Sequence, residues 1–405
     1  MENVFLDIKD TLFNITEKHK DALDLLVSLG FEKLKDESMR EVFGKSISLE
    51  TALKLKKIDV QVFENQLMEK MRETKDKNGD SSIHKGSIKI VGVLPCPVRA
   101  PLTEGFEKWL NEQKFDFELD YEFKAASMGV DWLVDGLENK TVDELPDLFI
   151  SAGFDIFFDK KLLGKFKADN LFEDITGIET YHEDFHNEYI QMEDPNRQYS
   201  IVGVVPAVFL INTDELKGRK IPSCWKDLLS EEFENSVSLP MQDFDLFNAI
   251  LLNIYKIYGE EGVRKLGKSL QRSMHPAEMV KSHIKKQDRP AVTIMPYFFS
   301  WMAKAEGPMK AVWPEDGAII SPIFMLSKKE KKDKLKPIVD FLASKEVGEI
   351  LAHNGRFPSV NPQVDNRIDK KNKYMWLGWN FIKEHDLSSL IKECEALFNS
   401  GAERE

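Results

Sequence analysis

The hydrophobic pattern changes period near Ile88, and that change limits what the chain can fold into. Beyond it, short β-branched runs alternate with helical stretches. IKIVGVLP (88–95), FELDYEF (117–123), DLFIS (147–151), SIVGVVPAVFLIN (200–212), SVSLP (236–240), AVTIMP (291–296) and IFMLSK (323–328) predict strands. Helical spacing covers 102–111, 246–258 and 334–343. Such alternation predicts a largely parallel α/β sheet with ligand sites at the carboxyl ends of its strands. Pro206 has no N–H to give and is expected to break the longest run.

Ahead of the change, residues 1–75 carry only helical spacing and predict a small all-α bundle. Thr16 is placed as the cap of a helix over 17–29 that buries Ala22, Leu25, Leu26 and Leu29 and stops at Gly30. Further helices are expected near Ser38, after Ser48 (burying Leu49, Ala52, Leu53 and Leu55) and around Val62, Phe63, Leu67 and Met71. The polar stretch TKDKNGDSSIHKGS (74–87) separates the two patterns, with the linker at 76–87.

A length of 405 residues suggests two to four domains at roughly 100–200 residues each. With 56 basic against 69 acidic residues the net charge is −13, which argues against nucleic acid and anionic membrane as partners. The lysine-rich KKEKKDKLK (328–336) accordingly reads as a solvated helix start. Cys96, Cys224 and Cys394 are too far apart for a disulfide framework or a zinc site. The acidic start MENVFLDIKD is not a secretory signal as written, and no run of about 18 apolar residues occurs. On this sequence the expectation is a cytoplasmic protein, unless a leader has been removed.

Four segments carry a resemblance. They are IKIVGVLPCPVRAPLTEGFEKWL, VVPAVFLINTDELKGRKIPSCWKDLL, WPEDGAIISPIFMLSKK and FLASKEVGEILAHNGRFPSVNPQV, in that order. Together, over roughly 88–380, they resemble ABC-type extracellular solute-binding proteins, in the branch for ferric iron and similar small solutes. The resemblance implies a type II periplasmic-binding-protein-like fold, with two lobes joined by two crossing strands that act as a hinge. Lobe 1 would hold 88–203 and 317–405, and lobe 2 would hold 204–316. It also implies a small-molecule solute and an ABC transporter permease as partners, in a family that normally works outside the cytoplasm. Through LLVSLGF and ISLETALKLKKIDVQVFENQL, residues 1–75 separately resemble a small helical domain family with no assigned activity.

The candidate ligand residues follow the strand ends. Arg99, in the loop after the first strand, suits a bidentate pair with a carboxylate or phosphate; the alternative is a surface arginine. Cys96 beside it is either a soft contact or an inert buried thiol. Ser151 and Gly153 let the backbone approach a ligand, or simply form a tight turn. Met241 and Asp243 end a strand of the second lobe, where Asp243 caps the next helix or faces a cation. Tyr297-Phe298-Phe299 stands where the iron-binding branch carries adjacent tyrosines, so at most one phenol is kept, and a hydrogen bond to a polar solute fits it better than ferric iron. His182-Glu183-Asp184-Phe185-His186 has H-E-x-x-H spacing, but the stretch 173–194 holds eight acids and no Lys or Arg, so it reads as a solvated acidic face. Tyr297, His182 and His186 are the metal candidates; otherwise no cofactor is expected.

Three functions compete. The first is a solute-binding protein that closes around a small polar or anionic solute, or a metal with its anion. The second is a cytoplasmic sensor or carrier reusing that fold with its helical domain as partner module, or, were the ligand site degenerate, a pure interaction module packing Leu25, Leu29 and Phe31 against a second protein. The third is an enzyme on the same scaffold, with Cys96 or the His182/His186 pair as the place to look. No G-x-S-x-G, P-loop or G-x-G-x-x-G supports it.

Overall fold

The computed structural model describes residues 9–18, 22–23, 26–27, 31, 34, 36–55, 63, 88–125, 141–166, 170–241, 244–273, 289–300 and 307–403. The chain divides into two compact units, Met1–Ile83 and His84–Glu405. The predicted linker, Leu25, Leu29, Gly30, Val62, Leu67, Met71 and Asp243 lie outside the described residues.

In the first unit, α1 (Leu12–Lys18) and α2 (Leu49–Leu55) bracket a turn of helix at Glu37–Met39. Leu12, Ile15, Leu26, Leu49, Leu53 and Phe63 form its core. Thr16 is not a cap. It lies inside α1, where its hydroxyl donates back to the Leu12 carbonyl at 2.8 Å, so the helix starts one turn earlier than predicted. The caps are Asp36, which accepts the Met39 N–H at 3.0 Å, and Ser48, which accepts that of Thr51 at 3.2 Å. Phe31 is buried in this core and does not offer a docking face.

The second unit is built on a ten-stranded sheet. Its strands are β1 (Ile88–Leu94), β2 (Leu119–Ala125), β3 (Leu148–Ala152), β4 (Ser200–Asn212), β5 (Val237–Leu239), β6 (Leu270–Ser273), β7 (Val292–Pro296), β8 (Met309–Val312), β9 (Ala318–Ser327) and β10 (Tyr374–Met375). The main order is β2-β1-β3-β9-β4-β7-β5-β6. The sheet is mixed, not largely parallel as expected. One parallel block, β2-β1-β3, stands at one end and another, β7-β5-β6, at the other. Between them β9 and β4 run antiparallel to each other and to the blocks they border, while the short β10 pairs with β9 in parallel. Those are the two crossing strands, and their direction had no signature in local hydrophobicity.

Pro206 does not break β4. Up to Pro206 the strand pairs with β9, and from Ala207 it pairs with β7, so the residue without an N–H sits where the partner changes. All of β4 is buried, which is why it reads as a continuous apolar run.

Helix α3 (Cys96–Asn111) follows β1 and packs Leu102 and Phe106 on the first block. Helix α4 (Phe244–Ser269) follows β5 and turns sharply at Gly259 (φ 65°). Helix α5 (Lys332–Leu342) buries Leu335, Ile338, Val339 and Leu342. The last helix, α6 (Leu387–Ala402), lies along α4, with the rings of Phe247 and Phe398 edge to face at 5.2 Å. Its start also meets the first half, where the Ser388 hydroxyl donates to the Asp159 carboxylate at 2.8 Å. Gly267 and Gly401 allow the approach of α6 to α4: a Cβ on Gly267 would strike the Phe398 carbonyl, and one on Gly401 that of Arg264.

Lys328 is not the solvated residue the lysine run suggested. It is 2% exposed, and its ammonium donates to the Leu145 carbonyl at 2.8 Å and the Asp147 carboxylate at 3.2 Å. Asp147 in turn accepts the Lys89 N–H at 2.9 Å, so one buried ion pair ties β1, β3 and β9 where they meet. Among the described residues no helix is long and apolar enough to cross a membrane.

Candidate functional site

The carboxyl ends of the two parallel blocks carry most of the predicted ligand residues. Arg99 is not in a loop: α3 begins at Cys96, which puts Arg99 in its first turn, 9% exposed, its N–H donating to the Pro95 carbonyl at 3.2 Å. Cys96 is the first residue of that helix, and its side chain is outside the described set. Ser151 lies within β3, 1% exposed, with its hydroxyl donating to the Ala152 carbonyl at 3.1 Å, so it lines the sheet and not a loop. Gly153 follows with φ 92°, its N–H donating to the Pro322 carbonyl at 3.1 Å.

Across from these, Met241 is half-buried against the main core after β5. Asp245, in the first turn of α4, reaches the first half. Its carboxylate fills the space a Cβ on Gly153 would need. A glycine is required at that point both for the positive φ and for the carboxylate.

Tyr297 opens the short helix Tyr297–Ser300 after β7. Its ring meets that of Trp313 edge to face at 5.2 Å and takes the Arg356 guanidinium on its face at 5.3 Å. Arg356 comes from the Gly-Arg-Phe-Pro turn of the first half and is held at φ 49°. Phe298 next to Tyr297 lies 6.5 Å from Phe357 of the same turn. Thus the structure joins Gly153 to Asp245 and Tyr297 to Arg356.

The sequence reading missed Asp245, Arg356 and Trp313. Asp245 had one available signal, an acid in the first turn of a helix that follows a strand. Arg356 was visible only as part of the turn motif, because reading it as a contact needed the fold of both halves.

The H-E-x-x-H stretch forms turns and not a helix. His182 Nδ1 lies 3.1 Å from the Asp184 carboxylate, and that hydrogen bond holds the imidazole above its ordinary pKa. His186 Nδ1 pairs separately with Glu193 at 2.8 Å. Phe185 is fully buried between them, against Tyr374. Among the described residues no group of three or more His, Cys, Asp or Glu side chains is placed to hold a metal. Nor is the acidic stretch simply solvated. Asp174 accepts from Arg197 at 3.1 Å and from the Ser200 hydroxyl at 2.8 Å. Asp194 accepts the N–H groups of Asn196, Gln198 and Tyr199. These acids build a loop, which explains their number without a ligand. A separate cavity of about 300 Å³ lies where α4 and α6 end, lined by Glu234, Lys268 and Glu403 among others, and includes none of the predicted ligand residues.

Two antiparallel crossing strands between two parallel blocks, with strand ends of both blocks facing each other, define the architecture of two-lobed binding proteins. The chain belongs to the bacterial extracellular solute-binding protein family, which matches residues 143–385. Residues 6–63 match a domain of unknown function (DUF1858). No curated protein matches the chain.

Solved structures share the fold at low identity. The periplasmic binding protein P5PA is 16% identical with a TM-score of 0.55, over 77% of this chain and 99% of that one. The ferric binding protein from Campylobacter jejuni is 13% identical with a TM-score of 0.54, over 78% and 100%. The periplasmic binding protein AfuA from Actinobacillus pleuropneumoniae, with fructose-6-phosphate bound, is 17% identical with a TM-score of 0.51, over 76% and 96%. The family and these neighbours are binding proteins and not enzymes. The fold is thus the two-lobed, type II periplasmic-binding-protein-like α/β fold, preceded by a helical unit.

Proposed function

We propose that the second unit closes its two lobes around one small polar or anionic solute and presents the closed form to an ABC transporter permease. The observation that carries this is the pair of lobe-to-lobe contacts at the strand ends, Gly153 with Asp245 and Tyr297 with Arg356. The crossing strands β4 and β9 supply the hinge, and closure adds contacts from both faces. Arg99 supplies the cationic group for an acid. The neighbours named for ferric iron and for a sugar phosphate make a metal–anion complex and a phosphorylated solute the first classes to try. Tyr297-Phe298-Phe299 keeps one phenol, which favours the anion over the bare ferric ion.

The test is native mass spectrometry of freshly purified protein, followed by a thermal-shift screen of oxyanions, carboxylates and metals. A solute at 100 times its dissociation constant adds about 2.7 kcal/mol, a readily measured shift. A screen without a hit, joined to scattering profiles unchanged by every solute, would refute the reading.

A second reading is a cytoplasmic sensor or carrier in which the first unit meets a protein. Val42 and Phe43 favour it, since both side chains are exposed on the Arg40–Gly44 turn of that unit. Pull-down with the full chain and with Val42→Ser/Phe43→Ser distinguishes the two: loss of a specific partner in the variant supports the sensor.

A further inference from the structure

A buried hydroxyl lies at the seam between the lobes with no bond to make. The phenol oxygen of Tyr374, in β10, is out of reach of solvent, and among the described residues it has no hydrogen-bond partner. The ring itself touches both lobes. Phe185 of the first lobe meets it at 4.9 Å, and Trp313 of the second meets it edge to face at 5.3 Å. We infer that Tyr374 sets the balance between open and closed forms: closure leaves its hydroxyl without a partner, which biases the solute-free protein towards the open form. This rests on the solute-binding reading and adds to it a control on closure.

The backbone fixes which lobe Tyr374 follows. β10 pairs with the first residues of β9, Tyr374 against Ala318 and Met375 against Ile319. The Trp313 indole N–H donates to the Lys373 carbonyl at 2.7 Å. A Cβ on Gly317 would strike the backbone of Tyr374 and Met375. These contacts hold Tyr374 to the end of the crossing strand that enters the second lobe. Its contact with the first lobe is the ring of Phe185. The neighbouring Asp184 carboxylate is engaged elsewhere, 3.1 Å from His182 Nδ1 and accepting from the Asn366 amide at 3.4 Å. Parting of the lobes therefore takes Phe185 and Asp184 away from Tyr374 and lets water reach the hydroxyl.

A buried tyrosine usually finds a partner for its O–H, because leaving that bond unmade costs the full desolvation of the group. Burial, the charge of Asp184 and the phenol of Tyr297 all hold the Tyr374 pKa well above its ordinary value, so the proton is always there to be given. Phenylalanine would make the same ring contacts without this cost. A hydroxyl kept against stability, on a ring shared by both lobes, points to a use in their motion.

The experiment compares the full chain with its Tyr374→Phe variant, no solute added, by small-angle scattering and thermal melting. The variant is expected to show a smaller radius of gyration and a higher melting temperature, its closed-to-open ratio raised about tenfold or more. Thr293→Val is the control. Thr293 is fully buried in β7, within the second lobe, and its hydroxyl also has no partner among the described residues. That variant is expected to melt no lower than wild type and to keep the wild-type radius. Equal radii for wild type and Tyr374→Phe overturn the inference. A lower melting temperature in Tyr374→Phe overturns it too, since the hydroxyl would then be bonded in the closed protein. So does compaction by Thr293→Val, which would make the effect independent of the seam. Compaction of wild type by inorganic phosphate or ferric citrate, beside an unchanged Tyr374→Phe, would show that the solute-binding reading stands without the inference.

Discussion

The carboxylate of Asp245, in the first turn of α4, lies where a Cβ on Gly153 would be, so the two lobes meet on the bare backbone of a glycine. The contact joins residues 92 positions apart, one at the end of β3 and one past β5 (245 − 153). Gly153→Ala introduces two faults there. An alanine at φ 92° is strained, at a cost of roughly 1–2 kcal/mol, and its methyl group collides with the carboxylate. The variant is expected to hold the lobes further apart, seen as a larger radius of gyration by scattering. Asp245→Ala in the same background should restore most of the compaction, because it removes the collision. Equal radii for wild type and Gly153→Ala would show that the contact does not govern closure.

Packing of the last helix rests on glycines in the same way. Alanine is better than glycine in a helix by about 1 kcal/mol, so propensity alone predicts that Gly267→Ala stabilises α4. The built methyl group would strike the Phe398 carbonyl of α6, and overpacking of this kind costs about 1–3 kcal/mol. The expected outcome is net destabilisation in urea melts, with faster amide exchange in α6. A more stable variant would mean that the two helices slide apart freely.

How much of this was legible in sequence depends on the range of the interaction. Seven strands were found, most of them because burial on both faces leaves continuous apolar runs, as in Ser200–Asn212, while the edge strand β2 is only half-buried. β6 (Leu270–Ser273), β8 (Met309–Val312) and β10 (Tyr374–Met375) were missed because they are short, and β6 and β8 also carry polar residues, as strands on the outside of a sheet do. The resemblance supplied the two lobes; the antiparallel direction of β4 and β9 is a property of pairing and leaves no local pattern. Arg99, Gly153 and Tyr297 were expected just after strands, and the structure places them after β1, β3 and β7. Asp245 and Arg356 were not, since each matters only through a residue on the other lobe.

Lys328 shows the same limit in reverse, a lysine hidden in a run of lysines. Lys328→Met removes the partner of a buried carboxylate and is expected to cost about 3–5 kcal/mol. Adding Asp147→Leu should recover a large part of the loss, because no charge is then left buried. Urea midpoints of the two variants decide it, and a single variant as stable as wild type would mean that water reaches Asp147.

The hydrogen bond from His182 to Asp184 gives stability a pH dependence of known sign. The folded pKa lies above the unfolded value of about 6.5, so the folded state binds the proton more tightly. That contribution is fully present below ~pH 6.5 and is lost as pH rises through the folded pKa. Asp184, Glu183 and Asp365 all favour the charged imidazole. His182→Gln is therefore expected to lose more stability, relative to wild type, at ~pH 5.5 than at ~pH 8.5. Equal losses at both would show that the proton contributes nothing. Solute affinity at neutral pH should not change, since His182 touches none of the residues at the lobe edge.

Arg356 combines a gain and a cost that substitution can separate. Its guanidinium lies on the Tyr297 ring at 5.3 Å, a contact worth about 0.5–2 kcal/mol, and its backbone at φ 49° costs a residue with a Cβ about 1 kcal/mol. Arg356→Ala removes the contact and keeps the backbone cost, so it should be the less stable variant. Arg356→Gly removes both, and should melt above Arg356→Ala, near wild type. Of these two effects only the ring contact bears on closure, because Arg356 and Tyr297 come from different lobes. Both variants are therefore expected to bind solute more weakly by the same factor, despite their different melting temperatures. If affinity followed stability instead, with Arg356→Gly binding as wild type does, the guanidinium would have no part in holding the lobes together.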